Sequence, residues 1–240
     1  MDLAFFSPTD RVRAELTLRK IAMFDVSRWA ITGGLAIEIH LYQHAAKSFI
    51  RPLQDIDFMT ASFDEIPNGL AKDLLFRHIH PHDPPGRNLL QGVDPVTNVR
   101  VDVFRAYGLE MERVAPVTVA GMTLRMVSLE DMIARHARLS WDLLEGNCVA
   151  PKFARDFLRM IDLVPPDAME SIWLEHRKPR QPQSFGETVM QLRQAIATRS
   201  DLLVSPIHST DVHSICLRCE TIENFPLADA SRILSILGYC

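Results

Sequence analysis

The sequence predicts an α+β protein: a mixed β-sheet core with helices over residues 1–127, followed by a helical C-terminal region over 128–240. Three observations lead there. Runs at 28–32, 55–60, 88–93, 99–104, 117–119 and 123–126 have the length and residue types of strands. Helix-start signatures stand at Ser7-Pro8-Thr9-Asp10 and at Ser128 with Asp131. From Ser128 onward the apolar residues recur with helical spacing.

The first helix has a serine cap, a proline at its first position and an acid three residues on, and should run to about Phe24 and cover the sheet. Residues 28–32 then read as a short buried strand, Gly33-Gly34 as a turn and 35–41 as a helix. On the strand at 55–60, Asp55 and Asp57 share one face while Ile56 and Phe58 point to the other. Residues 64–76 are expected to be helical, with Leu70, Leu74 and Leu75 inward. Residues 88–93 and 99–104 flank a turn at Asp94-Pro95-Val96-Thr97-Asn98, and 117–119 pairs with 123–126 across Ala120-Gly121-Met122. Beyond Ser128, Pro151 suits the first turn of a helix reaching Leu163, and Pro165-Pro166 stops it. Helices are expected at 167–175, 185–198 and 228–237, with 178–184 as the linker.

At 240 residues the chain can bury one full domain with a helical extension, or two small domains. Its 47% hydrophobic and 23% charged residues are ordinary for a globular protein. There is no apolar run of membrane-spanning length, and Met1–Ser7 lacks the positive start of a secretory signal, so a cytoplasmic location is expected. A net charge of −4, with both halves slightly acidic, argues against a broadly basic nucleic-acid surface. Arg135, Arg138, Lys152, Arg155 and Arg159 recur along two helical segments, spacing that a solvated helix face also explains.

The chemistry-bearing pattern is Gly33-Gly34, then Asp55-Ile56-Asp57, then Asp102 between Val101 and Val103. Paired carboxylates repel unless a cation lies between them. A hard ion such as Mg²⁺ takes oxygen ligands and keeps positions open for phosphates. Glycines without Cβ, ahead of a helix N-terminus, let backbone N–H groups approach an anion. A lone Gly-Gly turn or an isolated Asp-x-Asp is ordinarily structural. Their succession, completed by a third carboxylate, points to metal-assisted phosphoryl or nucleotidyl transfer.

Trp29-Ala30-Ile31-Thr32-Gly33-Gly34-Leu35-Ala36, Arg51-Pro52-Leu53-Gln54-Asp55-Ile56-Asp57-Phe58 and Val101-Asp102-Val103-Phe104 together resemble the nucleotidyltransferase (DNA polymerase beta-like) superfamily. The form is similar to its abortive-infection toxin branch, and Val127-Ser128-Leu129-Glu130-Asp131-Met132-Ile133-Ala134 resembles the helix that follows the third carboxylate there. The likeness covers about residues 25–165. It implies Asp55, Asp57 and Asp102 as catalytic residues and ligands of Mg²⁺ or Mn²⁺. It implies Thr32, Gly33, Gly34 and Arg51 as contacts of an NTP substrate, with His136 where the family carries a phosphate-contacting lysine. RNA as acceptor and an antitoxin partner are further implications of the resemblance. A non-catalytic nucleotide- or partner-binding protein, and a small-molecule (aminoglycoside-like) nucleotidyltransferase, remain alternatives on the same residues.

Two other clusters have metal-ligand chemistry. His208, His213, Cys216 and Cys219 fall close together, although helical spacing explains the cysteines as core residues. His78, His80 and His82 would share a face if extended, but Pro81 and Asp83-Pro84-Pro85-Gly86 mark a loop. Four cysteines in a chain of this length do not form a disulfide framework.

Overall fold

A computed structural model describes residues 1–44, 51–62, 65–67, 69–70, 73–79, 89–146 and 152–199. These fall into two compact units, residues 1–39 with the described part of 51–127, and residues 40–44 with 128–199. The helix expected at 228–237, Pro151, the four cysteines, His80, His82, His208 and His213 lie outside the described residues.

The first unit is built on a mixed seven-stranded sheet, ordered β3-β4-β5-β2-β1-β7-β6. The strands are β1 (Trp29–Thr32), β2 (Asp55–Thr60), β3 (Leu75–Ile79), β4 (Leu89–Asp94), β5 (Val99–Arg105), β6 (Ala115–Val119) and β7 (Met122–Met126). Only β2 with β5 and β1 with β7 run parallel; the other neighbours are antiparallel. Two tight connections follow from residue chemistry. Ala120 (φ 47) and Gly121 (φ 79) both take the left-handed conformation that a two-residue hairpin loop between β6 and β7 requires. Asp94 and Asn98 close the turn between β4 and β5 with an Asn98 N–H to Asp94 carbonyl hydrogen bond of 2.8 Å.

Helix α1 (Pro8–Ile21) starts as its sequence indicates, with the Ser7 hydroxyl accepting from the Asp10 N–H at 3.2 Å. It ends at Ile21, one turn short of the expected Phe24. Its Thr17 donates to Asp94 at 3.1 Å, and Lys20 pairs with the same carboxylate. Burial alone would push Asp94 up, but Lys20, the Val96 N–H and the Thr97 and Thr17 hydroxyls outweigh it and hold its carboxyl below the usual range. Ile56 and Phe58 are buried, and the Phe58 ring packs on Trp29 at 5.4 Å between centroids.

One expected element is wrong. The helix over 64–76 does not form: the described residues of 65–74 lie in short turns, and Leu75 and Phe76 begin β3. Pro67 removes a backbone donor inside that window and Gly69 takes φ 82, so helical propagation fails twice within three residues. Leu70 and Leu74 are buried all the same, which is why their spacing imitated a helix face.

The second unit is helical. Helix α2 (Gly33–Gln43) begins in the first unit and ends in this one; the rest are α3 (Leu129–Leu144), α4 (Lys152–Met160), α5 (Glu170–His176) and α6 (Phe185–Thr198). Ser128 caps α3, accepting from the Asp131 N–H at 3.0 Å and donating to its carboxylate at 2.6 Å. Helix α3 is the centre of the bundle and touches α4, α5 and α6. The expected linker at 178–184 is a packed loop: Gln181 is buried, and the Pro182 carbonyl accepts from Trp173 Nε1 at 2.9 Å. Trp173 in turn packs on Phe185. Among the described residues, no helix is long and apolar enough to cross a membrane.

Candidate active site

Strand register assembles the site. Side by side on parallel strands, Asp57 of β2 lies opposite Asp102 of β5, and Asp55 lies opposite Arg100. Residues two apart on a strand share a face, so one face carries a two-by-two block of three carboxylates and a guanidinium. One oxygen from each of Asp55, Asp57 and Asp102 can be chosen so that all lie within 4.8 Å of one another. Asp102 is 2% exposed, whereas Asp55 and Asp57 are half-buried and reachable. The neighbouring strands extend the polar face: Thr32 of β1 is in register with Asp57, and Gln91 of β4 with Asp102.

Gly33 and Gly34 have steric reasons to be glycine. Gly33 sits at φ +60, and a Cβ there would lie 1.7 Å from Asp57 Oδ2. No side chain can occupy that point; the missing methyl makes room for the Asp57 carboxylate. A Cβ on Gly34 would lie 2.7 Å from Arg51 Nη2, so the guanidinium rests directly on the glycine backbone. Arg51 also pairs with the buried Glu38 of α2 at 3.3 Å. Gly34, Arg51, Gln54 and Asp55 line a shallow hollow, which puts Asp55 at its edge.

Arg100 is the member of this site that sequence reasoning missed. Its guanidinium hydrogen-bonds Asp55 through Nη2, and its Nε lies 3.3 Å from Asp102 Oδ2. The signal was available: Arg100 is two residues before Asp102 and therefore on the same face. Gln91 was also missed, because only cross-strand register brings it beside Asp102. It is 2% exposed, and its Nε2 has no hydrogen-bond partner among the described residues. A buried amide donor on this face suits an oxygen-rich ligand.

A divalent cation fits the residues present. Three carboxylates supply hard oxygen donors, and one oxygen from each lies within 4.8 Å of the others, close enough for the three to serve one ion. The space at Gly33 seats Asp57 against the first residue of α2.

His136 is placed differently from the other candidates. It lies on α3 in the second unit, is 3% exposed, and donates from Nδ1 to the Met132 carbonyl at 2.7 Å. Burial drives its pKa down to about 4, against the partial opposing pull of Asp156. It is therefore neutral near pH 7 and brings no positive charge to a phosphate. In the same unit, Arg155 and Arg159 lie 3.8 and 3.4 Å from the buried Asp156, so part of the basic series is used in ion pairs.

No family model matches the chain, and no curated protein matches it. Among solved structures, the chain is similar to an antigenic nucleotidyltransferase-like protein from Paracoccidioides brasiliensis. The two are 19% identical, and the overlap covers 81% of this chain and 91% of that one with a TM-score of 0.44. So loose an overlap bears on neither chemistry nor ancestry; the strand register and the side chains carry the functional reading.

Proposed function

We propose that the chain is a cation-dependent nucleotidyltransferase that moves a nucleoside monophosphate from an NTP to an acceptor hydroxyl and releases pyrophosphate. The observation that carries this reading is the carboxylate trio on adjoining strands, with Asp57 seated in the space that Gly33 leaves. Asp55, Asp57 and Asp102 would hold Mg²⁺ or Mn²⁺, which supplies charge neutralisation of the triphosphate when bound. The rest is work for the chain's own groups. Backbone amides of Gly33 and Gly34, which open α2, and the Arg51 guanidinium orient the phosphates, while the space left at Gly33 seats Asp57. Asp102 takes the proton of the acceptor hydroxyl. The acceptor oxygen then bonds to the α-phosphorus, and the bond from that phosphorus to the oxygen bridging to the β-phosphate breaks. Its electron pair leaves with pyrophosphate.

The acceptor follows from the family likeness alone, which favours RNA over an aminoglycoside-like small molecule. The direct test incubates the protein with each α-labelled NTP and Mg²⁺, offering total cellular RNA and a panel of aminoglycosides in parallel. Label on RNA or on a drug, lost in Asp57→Ala and Asp102→Ala, is expected; full transfer by either variant contradicts the roles of these carboxylates. A second reading is a nucleotide-binding protein without catalysis, favoured by the neutrality of His136. It predicts saturable NTP binding with no labelled product on any acceptor.

A further inference from the structure

Resting on the cation-site reading above, we infer that Arg100 is a built-in counter-cation of the carboxylate trio. It holds Asp55 and Asp102 in place before any ion arrives and restricts the nucleotide-free site to one divalent cation. The geometry is specific. Arg100 stands in register with Asp55 on the neighbouring strand and two residues before Asp102 on its own. Its side chain is 10% exposed, so it lies in the cluster rather than over it. Its contacts to Asp55 and Asp102 both fall on Oδ2, so a planar fork reaches across two strands.

Charge balance gives the consequence. Three carboxylates against one guanidinium leave two negative charges, which a single divalent ion cancels. A second ion would make the half-buried block cationic, a state disfavoured until an anionic triphosphate arrives. Arg100 also raises the energy of the first ion by repulsion at close range. Removing it should strengthen metal binding while weakening the metal-free fold. The buried Gln91 donor beside Asp102 adds an independent sign that an oxygen-bearing ligand belongs on this face, since its Nε2 finds no acceptor among the described residues.

The test is a Mn²⁺ titration of the full chain without nucleotide, followed by the paramagnetic signal of free Mn²⁺, for wild type, Arg100→Gln and Asp57→Asn. Heat unfolding with chelator and with Mn²⁺ is recorded beside it. Wild type is expected to bind one ion and Asp57→Asn to lose it. Arg100→Gln should bind about tenfold or more tightly, as loss of a unit charge at contact distance implies. It should unfold at lower temperature than wild type in chelator and gain more than wild type from Mn²⁺. If wild type binds Mn²⁺ through Asp57 but Arg100→Gln binds no tighter, or if wild type takes two ions, the counter-cation role is overturned while the metal site stands. If wild type binds none, the metal-site reading falls and this inference with it. If Arg100→Gln fails to fold even with Mn²⁺, Arg100 is a structural tie between strands, and the inference is overturned.

Discussion

Gly33→Ala is the substitution for which the structure gives the sharpest expectation. Two costs arise. The residue sits at φ +60, where an alanine loses about 1–2 kcal/mol relative to glycine. The new methyl would also lie 1.7 Å from Asp57 Oδ2, whereas real Cβ contacts stay beyond 3.0 Å. The carboxylate must therefore retreat by roughly 1.3 Å, because the glycine backbone is held as the first residue of α2, directly after β1. A misplacement near 1 Å in a catalytic group costs on the order of a hundredfold in rate. The two costs separate in a double-mutant cycle with Asp57→Gly, which removes the carboxylate and also the Asp57 Cβ that lies 2.7 Å from the new methyl. Chemical denaturation should find Gly33→Ala costing only the backbone strain in the Asp57→Gly background and more than that in wild type. Mn²⁺ affinity should fall in Gly33→Ala alone. Equal denaturation costs in both backgrounds, with Mn²⁺ binding undiminished, would refute the idea that Gly33 exists to seat Asp57.

Further expectations concern charge and capping. Asp57→Ala and Asp102→Ala should abolish label transfer while far-UV circular dichroism stays native; a collapsed spectrum would assign them to folding instead. His136 has a folded pKa of about 4 against an ordinary value of 6.5, so the unfolded chain binds its proton more readily. Its contribution to stability is complete above about pH 6.5 and is lost as pH falls toward 4, amounting to about 2 kcal/mol by pH 5. Denaturant unfolding at pH 8 and pH 5 should show that loss shrinking in His136→Gln; an unchanged pH slope would remove His136 as its source. Asp94 has its carboxyl held low, so it stabilises at neutral pH and loses that contribution under acid; Asp94→Asn should flatten the acid limb of the stability curve. Ser128→Ala should cost about 1 kcal/mol through loss of the α3 cap, read as a lowered denaturation midpoint.

What was legible in the sequence was local. Ser7 and Ser128 announced their helices because a cap is decided by a few adjacent residues. Helix α6 could be read whole, since its apolar spacing runs unbroken from Phe185 to Thr198. Asp55 and Asp57 could be paired by strand parity, and their junction with Asp102 is now a fact of register. The misreading at 64–76 came from trusting the spacing of Leu70 and Leu74 over Pro67 and Gly69, which a helix interior tolerates poorly. Gln91 was beyond reach, because its place beside Asp102 depends on which strands pair and in what register. The closeness of Gly33 to Asp57 was likewise invisible: sequence shows a glycine, and only the fold shows what lies where its side chain would be.

Whether Asp55, Asp57 and Asp102 form a cation site beside a phosphate-binding turn can be seen in a single experiment. Crystals would be grown with Mn²⁺ and a non-hydrolysable NTP and measured at a wavelength where manganese scatters anomalously. The expected result is an anomalous peak at ~2.1–2.4 Å from oxygens of these carboxylates, with the triphosphate on the Gly33-Gly34 amides and Arg51. A peak elsewhere, or a nucleotide bound away from the turn with the carboxylates empty, would overturn the site.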